Sequence, residues 1–182
     1  MVREVGESSR TRRLPAGGVS SLVAVLLVAL NLRGAIAAVS PVLPEIRADV
    51  GLSATAAGLL TAVPVLCFAL AAPAAARLAR HTGTPRAVLI GCLTIAAATV
   101  LRVLDGPPVL LLGTLILGVG MTVGNVLVPV VVKRDFAGQA GTVTGVYTAA
   151  LAGGAAVAAA LTAPLAAIWN WRGALAVWAV LA

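Results

Sequence analysis

From residue 20 onward the chain alternates long apolar runs with short polar breaks. The runs cover residues 20–44, 54–79, 85–104, 108–132 and 141–165, and a sixth starts at Trp171 and reaches Ala182. A helix rises about 1.5 Å per residue, so about 20 apolar residues cross a hydrocarbon core of roughly 30 Å. The pattern therefore predicts five membrane-crossing helices and part of a sixth. The breaks at 45–52, 80–84, 105–107, 133–140 and 166–170 read as loops or turns. Ser53 is placed to cap the second helix, and Pro85 suits the first turn of the third. Pro64 and Pro73 predict kinks inside the second span, which neighbouring helices can re-satisfy. The basic start, the run from Leu22 to Leu30 and the small residues Ala35 and Ala37 imitate a secretory signal. Apolar character continues past Ala37 and more spans follow, so this stretch reads as a span. The last run holds about a dozen residues, too few to cross, and reads as a truncated helix.

Composition strengthens this picture. Hydrophobic residues make up 60%, charged residues 10%, and the mean hydropathy is +1.06. A soluble domain is about half apolar and a quarter charged, so the lipid bilayer is the expected partner of this surface. Aromatics are 3%, while Ala and Gly abound, which suits close helix packing. Gly120 and Gly124 in the fourth span, and Gly141, Gly145, Ala149 and Gly153 in the fifth, recur at four-residue spacing and read as packing rows. Cys67 and Cys92 lie within apolar runs and read as small buried hydrophobes.

Charge placement predicts orientation. With residues 1–18 as a cytoplasmic basic tail, nine of the 13 Lys and Arg residues fall inside (Arg3, Arg10, Arg12, Arg13, Arg77, Arg80, Arg86, Lys133, Arg134). Three fall outside: Arg47, Arg102 and Arg172. The asymmetry favours an N-terminus in the cytoplasm. Trp169 and Trp171 read as interfacial anchors at the outer boundary. Because the basic residues are interspersed between spans, the net charge of +7 does not indicate a nucleic-acid partner.

The thirteenth cation, Arg33, stands apart. It and Asn31 lie near the middle of the first span, where an uncompensated guanidinium is costly unless it faces water, a partner or a solute. Snorkelling would have to cover roughly 15 Å to either end. Arg33 and Asn31 are therefore the leading solute-binding candidates. Asn125 in the fourth span and Tyr147 in the fifth follow, with Thr144, Thr148 and Thr61 as weaker candidates. All six acids fall in tails, loops or span ends, and His81 falls in a loop. With no metal-ligand cluster, phosphate-binding loop or nucleophile triad, neither an enzyme nor a cofactor is expected.

These residues occur in an order that resembles a known family. The segments Asn31-Leu-Arg33-Gly, Pro41-Val-Leu-Pro44-Glu45-Ile, Gly124-Asn125-Val-Leu-Val-Pro129, Lys133-Arg134-Asp135-Phe136 and Thr144-Gly145-Val-Tyr147 look like the cyanate and nitroimidazole permeases of the major facilitator superfamily. The resemblance runs from about Leu30 to the C-terminus. It implies an all-α membrane protein, here the N-terminal six-helix half with its sixth helix truncated. It also implies a missing C-terminal half, or a second copy, as partner. Alternating access would move a small polar or anionic solute through a cavity lined by the first and fourth helices. Two departures are informative. The superfamily's Gly-x-x-x-Asp-Arg-x-Gly-Arg loop is here Ala76 to Thr84, which keeps Gly83 and lacks the acid. The Arg that drug/proton antiporters carry in helix four is replaced near Thr114, which argues against proton-coupled drug export. The alternatives are a non-transporting membrane anchor or assembly subunit, and an inactive transporter fragment. A midplane Arg is hard to reconcile with a mere anchor.

Overall fold

Proline and glycine set where the helices break. The computed structural model describes residues 16–104 and 106–181; the basic tail to residue 15 and Asp105 lie outside them. Helices α1 (Ala16–Ala37) and α2 (Val39–Val50) make the first span, interrupted at Ala38. Pro41 has no N–H for the Ala37 carbonyl and its ring crowds it, which accounts for the interruption. Helices α3 (Ala54–Leu70) and α4 (Ala72–Thr82) make the second span and meet at a 56° bend. Pro73, second residue of α4, denies a donor to the Ala69 carbonyl in the same way. Pro64 is accommodated inside α3. Ser53 caps α3 as expected, accepting from Ala56 N at 3.1 Å. Helix α5 (Thr84–Leu101) starts on Pro85, and α6 (Gly106–Asp135) follows. Helix α7 (Ala140–Val177) is broken by non-helical backbone at Trp169 and Asn170, and a 3-10 turn (Trp178–Leu181) ends the described chain. Five stretches are long and apolar enough to cross a membrane when the bent pair is taken as one.

Most of the expected breaks are shorter than their polar residues suggest: residues 80–82, 84, 106–107 and 133–135 belong to helices, and two longer loops are helical as well. Residues 45–50 continue α2, because Val39, Val42 and Ile46 form a buried stripe at helical spacing while Glu45, Arg47 and Asp49 face away. Gly51 then stops the helix in the left-handed conformation at φ 65°. Residues 166–168 likewise continue α7, with Ala166 buried. The turn occupies only Trp169 and Asn170. Asn170 adopts φ 59°, and its Oδ1 accepts from the backbone N–H groups of Arg172 and Gly173 at 2.9 and 3.1 Å, capping the segment that follows.

Helix α6 occupies the middle of the bundle and packs against α1, α3, α4 and α5, while α7 lies mainly along α1. Buried side chains stack in layers: Val25, Ala29, Val132, Phe136 and Tyr147 near one end, Leu32, Ile95, Leu117 and Met121 in the middle, and Val42, Ile46, Leu175 and Trp178 near the other. Glycines let α6 approach its neighbours. A Cβ on Gly120 would lie 3.0 Å from the Gly91 carbonyl of α5, and one on Gly124 would lie 2.6 Å from a Leu32 methyl of α1. The fifth-span row packs on no helix among the described residues. A Cβ added at Gly141, Gly145 or Gly153 would meet nothing within 4 Å, so the row lines an open face. The α1–α7 contact rests on Gly154, where a Cβ would come within 2.5 Å of the Leu30 carbonyl.

Candidate functional site

Arg33 lies on the side of α1 that the rest of the chain leaves open, in a stripe with Val23, Leu27 and Leu30. Counted along the crossing stretch Gly18–Val50, it is roughly 22 Å from one end and 25 Å from the other by helical rise. Its side chain lines a recess of about 270 Å³ with Thr148, Leu151, Ala152 and Ala155 of α7. Arg33 makes no hydrogen bond or ion pair among the described residues. The same two helices approach closely at Gly154, whose added Cβ would meet the Leu30 carbonyl. Thr148, only a weak candidate in the sequence, is thus brought beside Arg33. Its hydroxyl also bonds the Thr144 carbonyl at 2.9 Å, as Ser and Thr in apolar helices commonly do.

The other candidates are spread out. Asn31 is 5% exposed and points about 200° around the helix from Arg33, so the two are not a side-by-side pair. Tyr147 is buried against the Val25–Ala29 cluster, within electrostatic reach of Arg33. Asn125 is half-buried on α6, next to the Gly124–Leu32 contact, and does not line the recess. Thr61 bonds the Gly58 carbonyl of its own helix. His81, expected in a loop, lies in the last turn of α4 and is exposed, and Cys67 and Cys92 are free thiols. No group of His, Cys, Asp or Glu among the described residues is arranged to hold a metal.

The Major Facilitator Superfamily sequence pattern matches residues 22–182, nearly the whole chain. The chain belongs to that superfamily. It is 37% identical over 155 residues to the 2-nitroimidazole transporter of Escherichia coli K12, covering 85% of this chain and 39% of that protein. It is 37% identical over 161 residues to the cyanate transport protein CynX of the same organism (87% and 42%). The transporter YycB of Bacillus subtilis 168 is 35% identical over 163 residues (88% and 40%). The chain thus spans about two fifths of the length of these relatives, which are transporters and not enzymes.

Two polar features of this superfamily bundle escaped the sequence reading. Arg102, expected among the outer loop charges, is 2% exposed at the end of α5. Its Nη1 donates to the Ala35 carbonyl of α1 at 2.9 Å, while Nε and Nη2 have no partner among the described residues. The second feature ties three spans together. Asp49 accepts from Trp171 Nε1 at 3.0 Å and from Arg172 Nη2 at 3.2 Å. Arg172 also donates to the Val103 carbonyl at 3.1 Å and lies over the Trp171 ring at 4.6 Å. Trp171 is therefore a buried residue and not a free interfacial anchor, whereas Trp169 is 54% exposed. At the opposite end, Arg134 pairs with Asp135 at 2.6 Å, holding that carboxyl below its usual range through the hydrogen bond.

Proposed function

We propose that residues 19–182 form the N-terminal half of a secondary transporter that moves a small polar or anionic organic solute across the cytoplasmic membrane by alternating access. The N-terminus would be cytoplasmic. Arg33 would hold the solute's anionic or acceptor end, with Asn31 two residues away on α1, Tyr147 contributing from α7 and Asn125 from α6. The observation that carries this reading is Arg33 itself: a mid-span cation, unpaired among the described residues, on an open face with a recess beside it. A guanidinium there is costly in lipid and favourable against a solvated cavity or an anion. The open face of α1 and α7, with its uncovered Gly141, Gly145 and Gly153, is the surface that a second half, or a second copy, would cover. Burial of Arg102 reduces the outer loop cations to Arg47 and Arg172, which sharpens the charge asymmetry behind the orientation.

The test is binding of cyanate and 2-nitroimidazole to a chimera in which residues 1–182 replace the matching part of the E. coli 2-nitroimidazole transporter. Loss of a charge-assisted hydrogen bond costs about 1.5–3 kcal/mol, or about 10- to 150-fold in affinity. Arg33→Ala should fall in that range. Arg33→Lys should also bind substantially more weakly, because an ammonium does not reproduce the planar fork. Asn125→Ala should lose less. Parent-like affinity in a folded Arg33→Ala protein would show that Arg33 is structural and would remove the proposed site.

A further inference from the structure

We propose that Arg102 is a positioning residue for Arg33, clamping the back of the helix turn whose front carries it. The inference rests on the reading of Arg33 as the solute contact. Ala35, whose carbonyl Arg102 grips, is two residues beyond Arg33 and so lies about 200° around α1. The grip falls just before the interruption at Ala38, where Pro41 leaves one carbonyl of the first span without its helical donor. Both ends of Arg102 are fixed. Its root is pressed by α6 at Gly113, where a Cβ would lie 2.7 Å from the Arg102 Cβ and 2.9 Å from its Cα. Its tip is held at the Ala35 carbonyl. One residue before Arg33, Leu32 sits against Gly124 of the same α6. Arg33 is thus flanked along the chain by two attachments to the α5–α6 wall.

Stability alone does not account for an arginine here. A cation this buried, with two donors unpartnered among the described residues, carries a large desolvation cost. An apolar side chain of similar volume commonly serves packing as well or better. What an apolar side chain cannot do is donate to a backbone carbonyl across the helix interface. The long, charged guanidinium does this from a root on another helix.

The test needs no solute, so it fails independently of the Arg33 binding experiment. In a chain with Cys67 and Cys92 replaced by Ala, Arg33→Cys reports the position through its reaction rate with a water-soluble thiol reagent in detergent micelles. Leu59→Cys, on an exposed position of α3, is the control. Arg102→Gln and Arg102→Met should change the rate at position 33 by about fivefold or more, as expected when a hydrogen bond from a charged donor is lost. The rate at position 59 should stay within about twofold. Arg102→Lys, which keeps a charged donor of similar length, should restore the rate at least half-way. A folded Gln or Met variant with an unchanged rate at position 33 overturns the proposal. So does a failure of both variants to fold, because Arg102 would then support the whole bundle and not this turn. Equal changes at positions 33 and 59 overturn it as well.

Discussion

Adding one methyl group at Gly154 should pry α1 from α7, whereas the same change one residue earlier should be harmless. A Cβ at Gly154 would meet the Leu30 carbonyl oxygen at 2.5 Å, its Cα at 2.9 Å and its carbonyl carbon at 3.1 Å. All three are backbone atoms, so no side-chain rotation relieves the clash. Ordinary contact begins near 3.4 Å, and the oxygen would have to retreat by about 0.9 Å. Overpacking of this kind costs about 1–3 kcal/mol. The better helix propensity of Ala offsets about 1 kcal/mol, leaving a net loss of up to about 2 kcal/mol for Gly154→Ala. Against Gly153→Ala, which shares that gain, the deficit is the full overpacking cost of about 1–3 kcal/mol, or about 2–12 °C in Tm at this chain length. Gly153→Ala keeps the propensity gain with nothing within 4 Å to oppose it, so its Tm should hold or rise. Thermal unfolding of the two variants in one detergent decides the matter. Equal Tm values would mean that α1 and α7 do not meet at Gly154 as described.

Two further outcomes follow from the polar ends of the bundle. In a background without native cysteines, an impermeant thiol reagent added outside intact cells should label Leu104→Cys, 62% exposed, and not His81→Cys; the reverse pattern would invert the orientation. Leu104 is a better reporter than Gly106, whose φ of 57° a side chain would strain. Asp49→Ala should lower stability by about 1 kcal/mol, from one indole hydrogen bond and a half-exposed ion pair. Asp49→Asn should lose less, and only the ionic share should weaken with added salt. A Tm unchanged by Asp49→Ala would show that the three-span tie contributes nothing.

The sequence made the crossing helices legible because hydrocarbon imposes a length on each apolar run, and it made Ser53 and Pro85 legible because caps are local chemistry. Phase around each helix was not legible. Helix α7 is rich in Ala and Gly on several sides, so a four-residue spacing of small residues fits more than one face. Within this half the contact with α1 uses Gly154, while the row through Gly153 stays open. The continuation of α2 to Val50 was hidden by Glu45, Arg47 and Asp49, although Val42 and Ile46 already carried the helical spacing. Arg33 was legible from depth alone. Arg102 was not, because its position beside Asp105-Gly106-Pro107 makes it look like a loop charge; only the crossing of α5 with α1 places its guanidinium on Ala35. The Asp49–Arg172 pair, 123 residues apart in the chain, leaves no local signature either.

The placement of these groups also explains why a break and a buried cation occur together. Pro41 weakens the hydrogen-bond ladder of the first span only a few residues after Arg33. A functional group gains precision from a rigid support, and the hydrogen bond lost at Pro41 leaves the turns after Arg33 less well braced, although Ala38 keeps helical backbone angles. Leu32 seated on Gly124 and the Ala35 carbonyl held by Arg102 supply the missing support from α6 and α5. In the proposed arrangement the two arginines would have different tasks on opposite faces of one turn: Arg33 would present its donors to the open face, and Arg102, through its bond to Ala35, would keep that turn in place. An interior cation with incomplete partners, which would be a flaw in a purely structural helix bundle, is consistent with a wall built to aim another residue.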